Sequence, residues 1–522
     1  MTPHLLLTLP VAVPLATLAL CALLQSRPAL QRAISLLGSA GLLIASGLLL
    51  RAVLDGTVLA TQFGSWAAPF GISFVADRFA AAMVVITGLM AVAVSVYALA
   101  SGARERERAW FHPLYHGLLL GVTGAFLTGD IFNLYVWFEI MLIASFGLLV
   151  QGGTRAQLDA GVKYVVLNLL VTTLFLLGVG LLYGLTGTLN MADLSLALPE
   201  VPNQGLVATL ALLFLLAFGA KAAVFPLFFW LPAAYHTASA PVVAIFAALL
   251  TKVGVYAILR CFTLVFGGTL DFIGPIVGAL AALTMVTGVL GAAAHYDVRR
   301  ILSFHIISQI GYMLVGLAVA TPLAIAGAVL YVLHHIVVKA NLFLIAGAIR
   351  LAGGSYELKR IGGLHRSAPL LALLFVVPAL SLAGLPPLSG FWAKFLVIRA
   401  SLEAGHVALA VVALVVGALT LYSMLKIWNE AFWKAPSELS MRAAGEWRAR
   451  GAARAVMLLP IATLAALTLT IGLWTEPFVD FSLRAAEQML GREAYVQAVL
   501  GAAAPAPALP PLLPPLPEGA AP

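Results

Sequence analysis

Apolar stretches of about twenty residues follow one another along almost the whole chain, divided by short polar joints. They place spans at 5–24, 33–54, 79–99, 114–128, 131–150, 163–183, 207–230, 241–266, 272–294, 301–320, 324–350, 368–398, 407–432 and 455–474. An α-helix of that length crosses the ~30 Å hydrocarbon layer of a bilayer. In lipid the backbone must bond to itself, and the alternation of a barrel strand is missing here. The pattern predicts an all-α polytopic membrane protein of about fourteen transmembrane helices.

Two spans are interrupted. One holds Pro226 and Pro232 in KAAVFPLFFWLP, which begins at Lys221. The other holds Pro386 and Pro387 in GLPPLSGFWAKF, which begins at Gly384. Proline removes a backbone donor, and a broken helix at membrane depth survives only where protein or water meets the freed groups. The breaks fall in the seventh and twelfth spans. An odd separation gives the two units opposite orientation, the mark of an inverted repeat. The expected organisation is an N-terminal three-helix segment (1–110) and two inverted five-helix repeats (111–270 and 271–433), each containing a broken helix. A cytoplasmic loop, the last span and a Pro-rich tail starting at Pro505 complete it (434–522). The loop from Lys434 to Arg454 has room for a short amphipathic helix, and the tail reads as extended or disordered.

Composition removes the soluble alternatives. Of the 522 residues 62% are hydrophobic and only 10% charged, too few polar groups to cover a water-borne surface. The formal charge of +8 then reads as topology rather than as nucleic-acid binding. With the first joint in the cytoplasm, alternate loops carry Arg27 and Arg32; Arg104, Arg106 and Arg108; Arg155; Arg299 and Arg300; Lys359, Arg360 and Arg366; and Lys434, Arg442, Arg448, Arg450 and Arg454. The long opposite loop, 184–206, has no Lys or Arg but carries Asp193 and Glu200. The positive-inside bias then puts both termini outside a bacterial inner membrane. The first apolar run lacks a basic leader region and reads as a span, not a removed signal. Cys21 and Cys261 sit in distant apolar runs and read as small core residues.

Against this background the buried ionisable groups stand out. Glu139 lies mid-span in NLYVWFEIMLIASFGLL, where an unpaired carboxylate costs several kcal/mol. Lys221 sits just before the first break, too deep in its run to snorkel to the interface. A lysine gives up its proton more readily when desolvated and holds it more tightly beside a carboxylate. A partner that approaches and retreats would therefore load and unload it. Lys252 is mid-span in its own helix. Lys339 follows His335 by four residues on one helical face, with His334 adjoining, and histidine titrates near neutral pH. Lys394 ends the second break and mirrors Lys221. Together they form a polar track through the membrane, which His305 and Ser308 extend. Asp130 has the position of a helix cap. The chain carries no Walker loop, dinucleotide-binding glycine motif, cysteine cluster or HExxH motif, so no cofactor, metal or enzymatic chemistry is expected.

Four stretches carry a resemblance: FHPLYHGLLLGVTGAFLTGDIFNLYVWFEIMLIASFGLL, KYVVLNLLVTTLFLLGVGLLYGLTGTLNMADL, KAAVFPLFFWLPAAYHTASAPVVAIFAALLTKVGVYAILR and HHIVVKANLFLIAGAI. They resemble the antiporter-like subunits shared by respiratory complex I, membrane-bound hydrogenases and Mrp-type antiporters. The likeness runs from about Leu5 to Trp474. GAFLTGDIFNLYVWFE and TGTLNMADL look most like the D subunits of Mrp-type multisubunit Na+/H+ antiporters.

The resemblance implies roles for the polar residues. Glu139 and Lys221 would be the family's ion pair and Lys252 a connecting lysine. His334, His335 and Lys339 would be a central relay, and Lys394 the terminal group of the second half-channel. It also implies further membrane subunits as partners, with protons and monovalent cations as cargo. One alternative is a proton-pumping subunit of an NADH:quinone oxidoreductase or a membrane-bound hydrogenase. Another is a scaffold whose charges only lock helices together. The chain departs from many relatives at Phe228, where they carry a polar aromatic or a histidine.

Overall fold

A computed structural model describes residues 2–101 and 110–501. Arg104, Arg106, Arg108 and the tail from Pro505 lie outside the described residues.

The chain opens with an antiparallel pair, α1 (Pro3–Leu23) and α2 (Pro28–Val53), each with a proline in its first turn, where the missing N–H costs nothing. A hairpin of β1 (Leu59–Gln62) and β2 (Ser73–Ala76) leads into α3 (Arg78–Ala100). There follow α4 (Phe111–Leu127), α5 (Ile131–Val150), α6 (Arg155–Thr186) and a short α7 (Met191–Ala197). The first broken span is α8 (Gln204–Ala222) with α9 (Trp230–Tyr235), and α10 (Ala240–Val265) follows. Next come α11 (Leu270–Ala294), α12 (Val298–Val319) and α13 (Pro322–Gly353). The second broken span is α14 (Pro369–Ala383) with α15 (Ser389–Glu403), then α16 (Val407–Trp433). The chain closes with α17 (Glu438–Ala449), α18 (Ala452–Leu473), α19 (Glu476–Leu490) and α20 (Glu493–Leu500).

Among the described residues 12 helices are long and apolar enough to cross a membrane. The shorter α4 and the broken pair α14–α15 complete the fourteen crossings expected from the sequence. Caps fix several helix starts. Asp77 accepts from Ala80 N and Asp130 from Asn133 N, so Asp130 is indeed a cap. Thr154 and Gln157 form a capping box on α6.

Burial is uneven in a way that locates function. The apolar window of α10 is wholly enclosed and those of α12 and α13 nearly so, whereas α1, α6 and α16 bury only a minority of theirs. The enclosed helices carry Lys252, His305, His334, His335 and Lys339. The spans that carry this cluster of ionisable groups are thus kept from lipid, as the cost of exposing a charge to hydrocarbon requires.

The loops separate into two ends. One gathers the joints after α3, α5, α9, α11 and α13: Ser101, Thr154, Thr237, Arg299 and Tyr356 line one cavity. There α17 is pinned by Ser440 to Gly362 N and Gly353 O, and it is the amphipathic helix expected between Lys434 and Arg454. The other end gathers the hairpin, α7, α19 and α20. Gln488 donates to Gly56 O, Arg492 to Ser195 O and Asn190 to Ser73. The helices α19 and α20 and the hairpin are not foreseen by hydropathy. They are short: α19 packs on α13 and α3, and α20 on α7 and β1, instead of crossing the bilayer. Cys21 and Cys261 are both free and buried.

Candidate ion-translocation site

At the first break, α8 stops at Ala222 and Ala223 turns left-handed with φ 62. The loosened backbone is then met by side chains. Phe225 N donates to Thr284 Oγ at 3.0 Å, and Trp230 Nε1 donates to Ala220 O at 2.9 Å. These bonds let non-helical backbone persist at membrane depth. Lys221 occupies the last turn of α8, the dipole-negative end. It is buried, and its Nζ donates to Asn168 Oδ1 at 3.2 Å, with the Phe138 ring centroid 5.7 Å away.

Glu139 follows Phe138 on α5. It is half-buried, its Oε1 is enclosed without a hydrogen-bond partner, and its charge acts on Lys221. Yet no Glu139–Lys221 pair within 4.0 Å is present among the described residues. The expected ion pair is therefore apart in this structure, and Asn168 holds the lysine instead.

At the centre, Gly254 brings α10 against α8. A Cβ there would lie 2.5 Å from Ala222 N and 2.9 Å from Lys221 C, so only glycine allows this approach. Two wide turns, Phe246–Leu250 and Cys261–Val265, interrupt the regular winding of α10. Lys252 Nζ donates to Ala247 O of the first wide turn at 2.6 Å and to Thr251 Oγ at 3.2 Å. Lys339 Nζ donates to Leu302 O on α12 at 3.1 Å. The charges of Lys252 and Lys339 act on each other and on His335.

His334 and His335 diverge, because successive helical residues point about 100° apart. His335 faces the lysines, whereas His334 Nδ1 lies 2.8 Å from Ser389 Oγ at the second break. Around them Tyr331 donates to Gln309 Oε1 at 2.5 Å. Both ring nitrogens of His305 and of His335, Ser308 Oγ, Gln309 Nε2, His334 Nε2 and the Asn341 amide are buried with no protein partner. Such groups cost ~1–3 kcal/mol each unless something bonds to them, and they are donors and acceptors fit for water or a passing ion.

At the second break α14 stops at Ala383, and Gly384 turns with φ 91. Lys394, one helix later, folds back so that Nζ donates to Ala383 O at 2.9 Å and lies 4.8 Å from the Tyr312 ring centroid. A Cβ on Gly384 would meet Lys394 Cδ at 2.7 Å, so glycine makes room for the lysine stem. Ser389 Oγ also lies 3.0 Å from Ser381 Oγ, whose hydroxyl accepts from Gly390 N.

Lys252, Lys339, His334 and His335 thus lie on the enclosed helices α10 and α13, with Lys221 and Lys394 at the two breaks and Glu139 on α5. Sequence reasoning missed Asn168, Gln309, Tyr331, Ser381, Ser389 and Asn341. Spacing held a signal for two of them: Gln309 follows His305 by four residues, and Tyr331 precedes His335 by four, so each shares its histidine's face. It also missed Lys426, which donates to Ala293 O and His295 O and fastens α16 to the end of α11.

The fold and several long segments are shared with known proteins. Residues 128–420 match the family model described as NADH:quinone oxidoreductase/Mrp antiporter, TM. The D subunit of a Na(+)/H(+) antiporter from Alkalihalophilus pseudofirmus is 45% identical over 498 residues, 95% of this chain and 99% of that one. A chain of the Mrp complex from Dietzia sp. is 36% identical with a TM-score of 0.88, covering 96% of this chain and 100% of that one. A chain of an archaeal respiratory membrane complex, the membrane-bound sulfane sulfur reductase, is 26% identical with a TM-score of 0.86, covering 94% and 99%. By the matched region and by near-complete coverage of relatives, the chain belongs to the NADH:quinone oxidoreductase/Mrp antiporter transmembrane family.

Proposed function

We propose that the chain is a proton-translocating subunit of a multisubunit monovalent cation (Na+)/H+ antiporter, a transporter subunit and not an enzyme. One observation carries the proton half of the reading. Each buried lysine is held by a neutral acceptor: Lys221 by Asn168 Oδ1, Lys252 by Ala247 O, Lys339 by Leu302 O and Lys394 by Ala383 O. A neutral amine still has N–H groups to donate, so each lysine can lose its proton and keep its hydrogen bond. A salt-bridged lysine could not, because its carboxylate would be stranded.

The mechanism follows from that. When Glu139 swings away from Lys221, the ammonium loses its counter-charge and its proton moves inward. Lys252 and Lys339 repel each other's charge, so a proton arriving at one drives a proton off the other. His335, His305 and His334 pass it towards Lys394. The two breaks would belong to inverted repeats, 111–270 and 271–433. The loops bearing Arg299, Arg300, Lys359 and Lys434 would face the cytoplasm and both termini the outside of a bacterial inner membrane. Sodium exchange rests on the name of the 45% identical relative.

The second reading is a redox-driven pump, favoured by the likeness to the archaeal respiratory complex. The lower identity of that likeness ranks it second. The test uses the whole complex in inverted vesicles of an antiporter-deficient host. Lys221→Ala and Glu139→Ala should each abolish Na+-dependent dissipation of ΔpH while the complex still assembles. Near-wild-type antiport in either variant would overturn the mechanism.

A further inference from the structure

At the basic end a cavity of 370 Å³ opens between the starts of α6 and α10 and the end of α13. That volume falls in the usual ~300–1,000 Å³ range of small-molecule sites. Its wall includes Thr154, Gln157, Ser239, Arg299, Arg350 and Tyr356, and among the described residues no Asp or Glu lines it. Two guanidinium groups share one aromatic plate: Arg299 Cζ lies 3.7 Å and Arg350 Cζ 5.4 Å from the Tyr356 ring centroid.

Neither cation is neutralised well. Arg299 reaches Asp297 Oδ2 only at 3.5 Å, and the other oxygen of Asp297 caps α12 through Arg299 N and Arg300 N. Arg299 Nε is buried with no acceptor. Arg350 forms no ion pair within 4.0 Å among the described residues.

Two helix starts add to the positive field. Thr154 caps α6 here. Ser239 precedes α10, yet its hydroxyl caps no amide, and its oxygen is enclosed without a partner. Helix N-termini carry partial positive charge, and an arginine fork matches the oxygens of a phosphate. A mouth for cations would need acidic walls, and the described lining has none.

We infer that the Arg299–Arg350 cavity binds a phosphate group, from inorganic phosphate or from the headgroup of an anionic phospholipid. Its occupant bridges α6, α10, α12 and α13. Two of these carry Lys252 and Lys339, so occupancy fixes the spacing of the central relay from outside the membrane core.

The test uses the whole purified complex, washed free of phosphate. One arm titrates inorganic phosphate by calorimetry, with Arg350→Gln and Arg299→Lys compared to the unaltered protein. Arg299→Lys keeps the charge and loses the fork, so it covers the case in which Arg350→Gln fails to assemble. The other arm counts phosphatidylglycerol retained per complex by native mass spectrometry. Saturable phosphate binding weakened at least tenfold by Arg350→Gln and several-fold by Arg299→Lys supports a free anion. No phosphate response, with one retained phosphatidylglycerol lost in the variants, supports a headgroup. Binding and lipid retention that both variants leave unchanged, or no binding in either arm, overturns the inference.

Discussion

Lys394 folds back to donate to Ala383 O at 2.9 Å, placing its ammonium at the carbonyl end of α14 as Lys221 sits in the last turn of α8. One lysine precedes its helix break and the other follows it, yet both meet the dipole-negative end of a half-helix. That end favours an ammonium without supplying a full counter-charge. It stabilises the proton enough to bind it, and no carboxylate fixes it there.

Lysine chemistry at this position is therefore separable from charge. Lys394→Arg keeps a cation that does not release its proton at accessible pH. Antiport should fall at least tenfold while the complex assembles normally. Fluorescence quenching of a ΔpH probe in inverted vesicles reads the first, and blue-native electrophoresis the second. Activity above half of wild type would show that Lys394 is only a fixed charge.

Asn168 offers the complementary test. Its Oδ1 lies 3.2 Å from Lys221 Nζ, and its own Nδ2 is anchored on Tyr164 O at 2.8 Å. Asn168→Asp would set a carboxylate at ion-pair distance and hold the proton on Lys221. Antiport should drop more than tenfold. Asn168→Ala removes only one neutral hydrogen bond, ~1 kcal/mol, and should reduce turnover several-fold at most. The same vesicle assay orders the two, and a milder effect for Asp than for Ala would contradict the neutral-acceptor mechanism.

Packing at Gly254 decides a stability question. Exchanging glycine for alanine inside a helix normally gains ~1 kcal/mol. Here the added Cβ would lie 2.5 Å from backbone at Ala222, which cannot move without shifting Lys221. Overpacking of that kind costs ~1–3 kcal/mol, so the sign should reverse. Gly254→Ala should lower the thermal midpoint of the purified complex and slow antiport. A raised midpoint would mean that α8 yields freely.

Much of the fold was legible in the amino-acid sequence alone. A hydropathy pattern reports which segments cross lipid, because the cost of exposed backbone is large and local. Pro226 and Pro387 reported the breaks for the same reason. Isolated charges such as Glu139 and Lys252 were conspicuous in apolar surroundings. The acceptors were not, because nothing in a string of letters says that the Leu302 carbonyl faces Lys339 or that Asn168 reaches Lys221. Serine, asparagine and tyrosine are common in transmembrane helices, and Ser381 and Ser389 gain meaning only when a break folds them together with His334. The helices α19 and α20 were missed because they cross nothing.

The end that holds the hairpin tests whether every buried charge belongs to the relay. Arg260 NH2 lies 2.6 Å from Asp77 Oδ2, both almost fully enclosed, with Tyr256 and Tyr495 ring centroids each 5.5 Å from the guanidinium. Unlike the four lysines, Arg260 has a full counter-charge and cannot shed its proton. It joins α10 to the start of α3 and to α20, and we expect it to serve stability alone. Asp77→Asn keeps a side-chain oxygen for the cap on Ala80 N but strands the buried guanidinium, a loss of ~3–5 kcal/mol. The thermal midpoint of the complex should fall clearly. Adding Arg260→Met removes the stranded charge and should recover most of that loss. Antiport per assembled complex should stay near wild type in both variants. A double variant that remains as unstable as the single one would refute the ion-pair account, and loss of turnover in fully assembled complex would place Arg260 on the transport path.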